Sequence, residues 1–212
     1  LIDFVSVQSY ETFVQLYEWL LKHCNARDAK DQAKLDALAA KYGFPKGRKY
    51  RTVVVDSLSE IEQVNLSRIF GDDADDLMDA AEAADFRDYG QNRRLLHKVI
   101  RAFRNLPMNV IFTCARDSDQ DEKKKYGYQP KLTGKLSKDV QFFMDIVGYL
   151  ATGKSVSDEG GAGADKLARR LWLQPIGKFD AKSRLTPQDV GYIDAPTMQK
   201  LMAKLTRKAA TK

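Results

Sequence analysis

Apolar residues recur at helical spacing near the start of the chain. Phe13, Leu16, Tyr17, Leu20 and Leu21 share one face behind Ser9, which has the side chain of an N-cap, so the pattern predicts a helix over 10–23. Residues 28–42, rich in Ala, Lys and Asp, predict a second, more exposed helix stopped by Gly43 and Pro45. Thr52-Val53-Val54-Val55 is an unbroken β-branched run and reads as a strand buried on both faces. Ser57 then opens a helix to about Phe70. Leu95, Leu96, Val99, Ile100 and Phe103 stripe one face of a helix over 89–105, and 109–114 reads as a second buried strand.

The later part is less regular. A polar, Lys-rich segment of more than 20 residues follows Cys114, too long for a simple connection. Residues 142–150 read as a third strand and 169–173 as a fourth, with a Gly/Ser-rich turn at 155–164 between them, and 195–206 reads as a helix. Ile2–Val7 alternates like a strand at the very start; because Leu1 opens in the middle of that pattern, the domain is expected to have lost its beginning. Strands alternating with helices predict an α/β fold, a mainly parallel sheet flanked by helices.

Charge changes this picture more than composition does. The 212 residues carry 35 bases and 29 acids, a net charge of +6. Eight acids and one base lie between Asp72 and Asp88, leaving the rest of the chain strongly basic, which suggests a polyanionic partner. Cys24 and Cys114 are far apart and lack metal-ligand spacing, which excludes a disulfide framework or a structural zinc site and suits a reducing cytosol. No apolar run approaches the ~18 residues of a membrane-spanning helix.

Four places are candidates for chemistry. Asp56 leaves the carboxyl end of a hydrophobic strand, where α/β folds bind ligands; a carboxylate there can hold Mg²⁺ through its water shell, with the Ser57 hydroxyl beside it. The alternative is that Asp56 or Ser57 only caps the next helix. Residues 148–155 (GYLATGKS) satisfy the letters of a phosphate-binding loop, but Lys154-Ser155 runs into a Gly-rich turn instead of the helix whose N-terminus would cradle phosphates. A hairpin is expected there instead. Lys123, Lys124, Lys125, Lys131, Lys135 and Lys138, interleaved with Tyr126 and Tyr128, suit phosphate neutralisation and base stacking on a single strand; a merely solvated loop is the alternative. Lys182 and Arg184, one residue apart on an extended segment, point the same way and suit the terminal phosphate of a neighbouring subunit's nucleotide. His23 and His97 lack ligand-spaced partners and read as structural; Trp19 and Trp172 read as core or interface aromatics.

In order, 51–60 (RTVVVDSLSE), 88–91 (DYGQ), 106–113 (LPMNVIFT), 130–135 (PKLTGK), 145–150 (DIVGYL) and 180–184 (DAKSR) resemble the phage-encoded RecA-like ATPases, often labelled AAA-type or phage nucleotide-binding proteins. The resemblance spans roughly residues 2–186. It implies a RecA-like P-loop NTPase core over 1–186 with a C-terminal β-hairpin, followed by a helix and basic tail over 187–212. It also implies ATP and Mg²⁺, single-stranded DNA as substrate in recombination or annealing, and a ring or filament homo-oligomer with nucleotide between subunits. A single-strand-binding protein as a further partner and the cytoplasm of the infected bacterium belong to the same expectation.

By position, the resemblance makes Asp56 the metal-side carboxylate, with Ser57 beside it. Thr113 and Arg116 become γ-phosphate sensors at a strand end, the 123–138 segment becomes the DNA-facing loop, and Lys182 and Arg184 become fingers acting in trans. The sequence departs from the family in one respect. Residues 1–55 contain no Gly-Lys-Ser/Thr, and 43–49 (GFPKGRK) is no substitute, since Pro45 and the missing hydroxyl spoil it. The P-loop is therefore expected to lie outside this sequence, and Glu60 and Glu62 are the nearest candidates for a catalytic glutamate. The rival reading is a nucleotide-independent module that binds DNA or a partner, or serves assembly, on the same scaffold.

Overall fold

The computed structural model describes residues 2–46, 49–71, 86–117, 128–154, 167–175, 179, 181–184 and 191–206. The chain divides into two compact units, residues 1–116 with 130–143 and residues 117–129 with 144–212.

In the first unit the helices form where periodicity and caps place them. Helix α1 spans Tyr10–Asn25, with the Ser9 side chain accepting from the Thr12 N–H. Asp28 caps α2 (Ala29–Tyr42), which ends on Gly43 in the left-handed conformation at φ 70°. Strand β1 (Thr52–Val55) leads into α3 (Leu58–Phe70); α4 (Phe86–Arg104) is followed by β2 (Asn109–Phe112), and α5 (Leu136–Phe143) closes the unit.

The apolar stripes of α1 and α4 meet. Phe13 and Phe103 stack with centroids 4.6 Å apart, and both are fully buried with Leu96 and Ile100 beside them. Each such side chain contributes about 1.5–3 kcal/mol by burial. Trp19, Phe44, Tyr50 and His23 form a second aromatic group, in which the Tyr50 N–H donates to His23 Nε2 at 3.0 Å.

β1 and β2 pair in parallel, with Val53 opposite Val110 and Val55 opposite Phe112. The expected burial on both faces does not hold. Val55 is buried but Val54, on the opposite face of the strand, is 56% exposed. Ile2–Val7 is also not a strand: among the described residues it pairs with nothing in a ladder, and Ile2 and Phe4 are exposed. Alternation supplies a strand's pattern but not its partner.

In the second unit, the strand expected over 142–150 is divided. Its first residues end α5, whose face buries Val140 and Phe143, and the rest forms β3 (Ile146–Val147) and the start of β4 (Tyr149–Lys154). β4 pairs antiparallel with β5 (Leu167–Trp172), which pairs antiparallel with β7 (Tyr192–Asp194); β3 pairs antiparallel with β6 (Lys182–Ser183). Parallel pairing among the described strands is thus confined to β1 and β2. Leu201 of helix α6 (Met198–Thr206), like Leu171 and Ile146, packs against the buried pair Leu173 and Ile193. Among the described residues no helix is long and apolar enough to cross a membrane.

Candidate functional site

The parallel register sets the site. Val55 faces Phe112 at the last rung, so Asp56 and Thr113 are the first residues past the paired carboxyl ends. The Thr113 N–H donates to the Val55 carbonyl at 3.0 Å, and the Leu58 N–H donates to the Thr113 carbonyl at 2.9 Å, which closes the end of the sheet onto α3. With the backbones tied, the Thr113 hydroxyl donates to Asp56 Oδ1 in a short hydrogen bond. Asp56 is exposed, and its second oxygen has no hydrogen bond from a described residue.

Two uses were open for this segment, and the structure separates them. Ser57 is the N-cap of α3: its hydroxyl accepts from the Glu60 N–H at 3.3 Å. The capping role is therefore filled without Asp56, whose carboxylate is left facing outward at the carboxyl end of a parallel strand, where α/β folds place ligands.

Just behind lies a junction that sequence reasoning missed. The Ser59 hydroxyl donates to the Lys131 carbonyl at 2.9 Å, accepts from the Ala115 N–H at 3.1 Å and lies 3.2 Å from Cys114 Sγ. One side chain on the first turn of α3 thus joins the exit of β2 to the return of the Lys-rich segment. Burial pushes the Cys114 thiol above its ordinary pKa, so it stays protonated at neutral pH and is no nucleophile.

Deeper still, Glu62, Asn65 and Asn92 are buried and form a polar network. Glu62 is 1% exposed and accepts from the Thr133 N–H at 3.0 Å, the Thr133 hydroxyl at 2.6 Å and Asn92 Nδ2 at 2.9 Å. Asn65 Nδ2 donates to Asn92 Oδ1 at 2.7 Å, and Arg68 donates to Asn65 Oδ1 at 3.0 Å. With its oxygens committed to protein donors and no access to solvent, Glu62 cannot activate a water, which removes it as a catalytic glutamate. Glu60 is exposed on the first turn of α3. A sequence signal did exist: Glu62, Asn65 and Asn92 fall in phase with Leu58, Ile61, Leu66, Leu96 and Val99 on the buried faces of their helices, where a polar residue needs a partner.

The remaining predicted residues scatter. Arg116 is exposed and bridges to Pro130 at the neck of the Lys-rich segment. Lys123, Lys124, Lys125 and Tyr126 lie outside the described residues, whereas Lys131, Lys135 and Lys138 are exposed on the first unit. Tyr128 belongs to the second unit, where its ring stacks on Phe179 at 4.5 Å, so one of its faces is already occupied. Lys182 and Arg184 are also in the second unit. The Arg184 guanidinium lies 3.4 Å from Asp145 Oδ1; burial, and then the Arg184 charge, lower the Lys182 pKa. The 148–155 match lies on a strand arm from Tyr149 to Lys154, and a Cβ on Gly148 would meet Leu171 Cδ1 at 2.7 Å. That glycine therefore serves close strand packing, not phosphate binding.

A divalent ion fits only part of this arrangement. No cluster of three or more His, Cys, Asp or Glu is placed to hold a metal among the described residues. Asp56 would act alone, which suffices where waters and nucleotide phosphates complete the shell of a hard cation.

The profile of a family described as an AAA domain matches residues 2–185. No curated protein and no solved structure matches the chain.

Proposed function

The chain belongs to the AAA domain family, whose function is nucleotide binding of the ATPase type, and from that premise we propose a RecA-like phage ATPase that acts on single-stranded DNA in recombination or annealing. ATP binds between subunits of a ring or filament, in the cytoplasm of the infected bacterium. The observation that carries the reading is the exposed Asp56 carboxylate at the carboxyl end of β1, left out of the α3 cap and oriented by the Thr113 hydroxyl.

Asp56 would hold Mg²⁺, and the Thr113 hydroxyl fixes the carboxylate's rotamer at the strand end. When bound, the ion supplies charge neutralisation across the nucleotide phosphates. Arg116, three residues beyond Thr113, is within the same loop. Lys182 and Arg184 serve the nucleotide of a neighbouring subunit. The Arg184–Asp145 pair is exposed and so worth only about 0–1 kcal/mol, a small cost to release. The exposed lysines of the 116–138 segment neutralise DNA phosphates.

A second reading has one observation in its favour. Residues 1–55 carry no GxxxxGK[ST], and the one match in the chain lies on a strand arm. On that reading the scaffold binds DNA or a partner without nucleotide. Titration of Mg²⁺–ATP into the full-length protein and its Asp56→Ala variant separates the two. Saturable binding and turnover that Asp56→Ala abolishes support the ATPase; turnover unchanged by the substitution refutes the role of Asp56, and no binding at all favours the second reading.

A further inference from the structure

The three-stranded sheet of the second unit has two chemically different faces. One carries Leu171 and Ile193 and packs with Leu173 against Leu201 of α6. On the other, the register aligns Tyr149, Trp172 and Tyr192 in a single row across β4, β5 and β7, and Arg170 and Asp194 in the next row. The row continues beyond the sheet, because Phe179 stacks on Tyr149 at 3.8 Å and Tyr128 stacks on Phe179 at 4.5 Å. Trp172 is half-buried and Tyr192 is 43% exposed, so the rings are firmly seated yet reachable.

Arg170 gives the row its charge. Its guanidinium lies 4.0 Å from the Tyr192 ring centroid and 5.5 Å from that of Trp172, and Asp194 Oδ1 holds it at 2.6 Å. A guanidinium held over aromatic rings adds a cation to the stacking surface, and the sequence from 144 to 212 carries twelve bases against seven acids. An apolar protein partner would not select for this combination. Flat π faces, a guanidinium over them and a net basic sequence are what unpaired bases and their phosphates recognise, and a twisted antiparallel sheet presents the rings in the spacing of successive strands.

We infer that the Tyr149–Trp172–Tyr192 face, with Arg170, is a base-stacking site for single-stranded DNA, distinct from the lysine segment. The choice of DNA as the polymer rests on the function proposed above. The face binds bases without regard to sequence and needs no nucleotide.

The test is the binding of a labelled oligothymidine, without ATP, by the full chain and by its Trp172→Leu and Tyr192→Leu variants, with folding checked by circular dichroism. Each substitution keeps apolar bulk and removes a π face; each is expected to weaken binding by about tenfold, with Trp172→Phe near the parent. The chain has only Trp19 and Trp172, so in a Trp19→Phe protein the strand is expected to quench the remaining indole. That readout decides the matter should Trp172→Leu fail to fold. Parent-like isotherms for folded variants together with unquenched Trp172 emission would overturn the site while leaving single-strand binding intact. If the unaltered chain binds no oligothymidine, the DNA reading itself falls, and this site with it.

Discussion

Thr133 is bound to the buried carboxylate of Glu62 through both its backbone N–H and its hydroxyl, the latter at 2.6 Å. The pair fixes the return of the Lys-rich segment onto α3, the helix that begins two residues after Asp56. Because Glu62 is shielded from solvent, its charge is tolerated only while its donors stay in place. Thr133→Val removes one donor and is expected to cost about 1–3 kcal/mol in urea unfolding. Glu62→Ala strands the Asn92 amide and the Thr133 N–H and is expected to cost about 3 kcal/mol or more. A Glu62→Ala protein as stable as the parent would show that the network is not what holds the segment.

Much of the first unit could be read from side-chain spacing. Ser9, Asp28 and Ser57 each begin a helix as their short oxygen-bearing side chains suggest, and the β-branched run at 52–55 forms the strand it resembles. The failures share a cause. Val54 and Ile2–Val7 have strand chemistry, but burial and pairing depend on which other segments arrive, and a local pattern carries no such information. Residues 142–150 divide because Phe142 and Phe143 end a helix, while Ile146 and Tyr149 serve strands, within a few residues of each other. At the site, the position of Asp56 was legible from the run that precedes it, but its pairing with Thr113 was not, since 57 residues separate them and only the parallel register brings them together. The aromatic row was hidden for the same reason: Tyr149, Trp172 and Tyr192 are isolated aromatics until β4, β5 and β7 align them.

Asp56 is exposed and its hydrogen bond from Thr113 is its link to the fold, so activity and stability separate there. Asp56→Asn is expected to change unfolding free energy by about 1 kcal/mol or less while abolishing Mg²⁺-dependent turnover. Thr113→Val, which frees the carboxylate without removing it, is expected to lower turnover and leave the melting temperature within a few degrees of the parent. Loss of both fold and activity in Asp56→Asn would mark the residue as structural.

The lysine segment makes a separate electrostatic prediction. Each phosphate contact on a single strand contributes about −0.7 to the slope of log affinity against log salt. Replacing Lys123, Lys124 and Lys125 with Ala is expected to reduce that slope by about 2, with the larger loss of affinity at low salt. A Lys131→Ala, Lys135→Ala double variant tests the exposed part nearer α5 in the same way. An unchanged slope in both would remove the segment from the DNA interface.

The histidines give stability a pH dependence. Burial lowers the His23 pKa, with the Lys49 charge adding to it, and the neutral ring accepts from the Tyr50 N–H. Burial also lowers that of His97; Asp139 opposes the shift, while Arg93 and Arg101 reinforce it. Both therefore bind protons less readily folded than unfolded. Below the ordinary histidine value of 6.5, the unfolded chain holds more protons, so stability falls as pH falls and is level above it. A second loss follows at lower pH: burial raises the Asp139 pKa, but hydrogen bonds and charge from Arg93 outweigh that and hold it below 3.8. Urea melts at about pH 7.5 and 5.5 should differ for the parent, and His23→Gln with His97→Gln should remove most of the difference.

Lys154 is the most direct test of how the GYLATGKS match should be understood. A phosphate-binding lysine needs a loop wrapped around the anion and a helix N-terminus behind it, because backbone amides make most of the contacts. Here the residue ends an antiparallel arm paired opposite Leu167, and the first glycine of the match is fixed by contact with Leu171. Along an extended strand successive backbone N–H groups point to opposite sides, and those on the β5 side are spent on the ladder, so they cannot converge on a phosphate. Lys154→Ala is accordingly expected to leave Mg²⁺–ATP affinity unchanged within about twofold, since the substitution removes one point charge from a strand end and no cradle. A loss of affinity of a hundredfold or more would mean that the β4–β5 arm refolds around nucleotide, and that the phosphate site lies there and not beside Asp56.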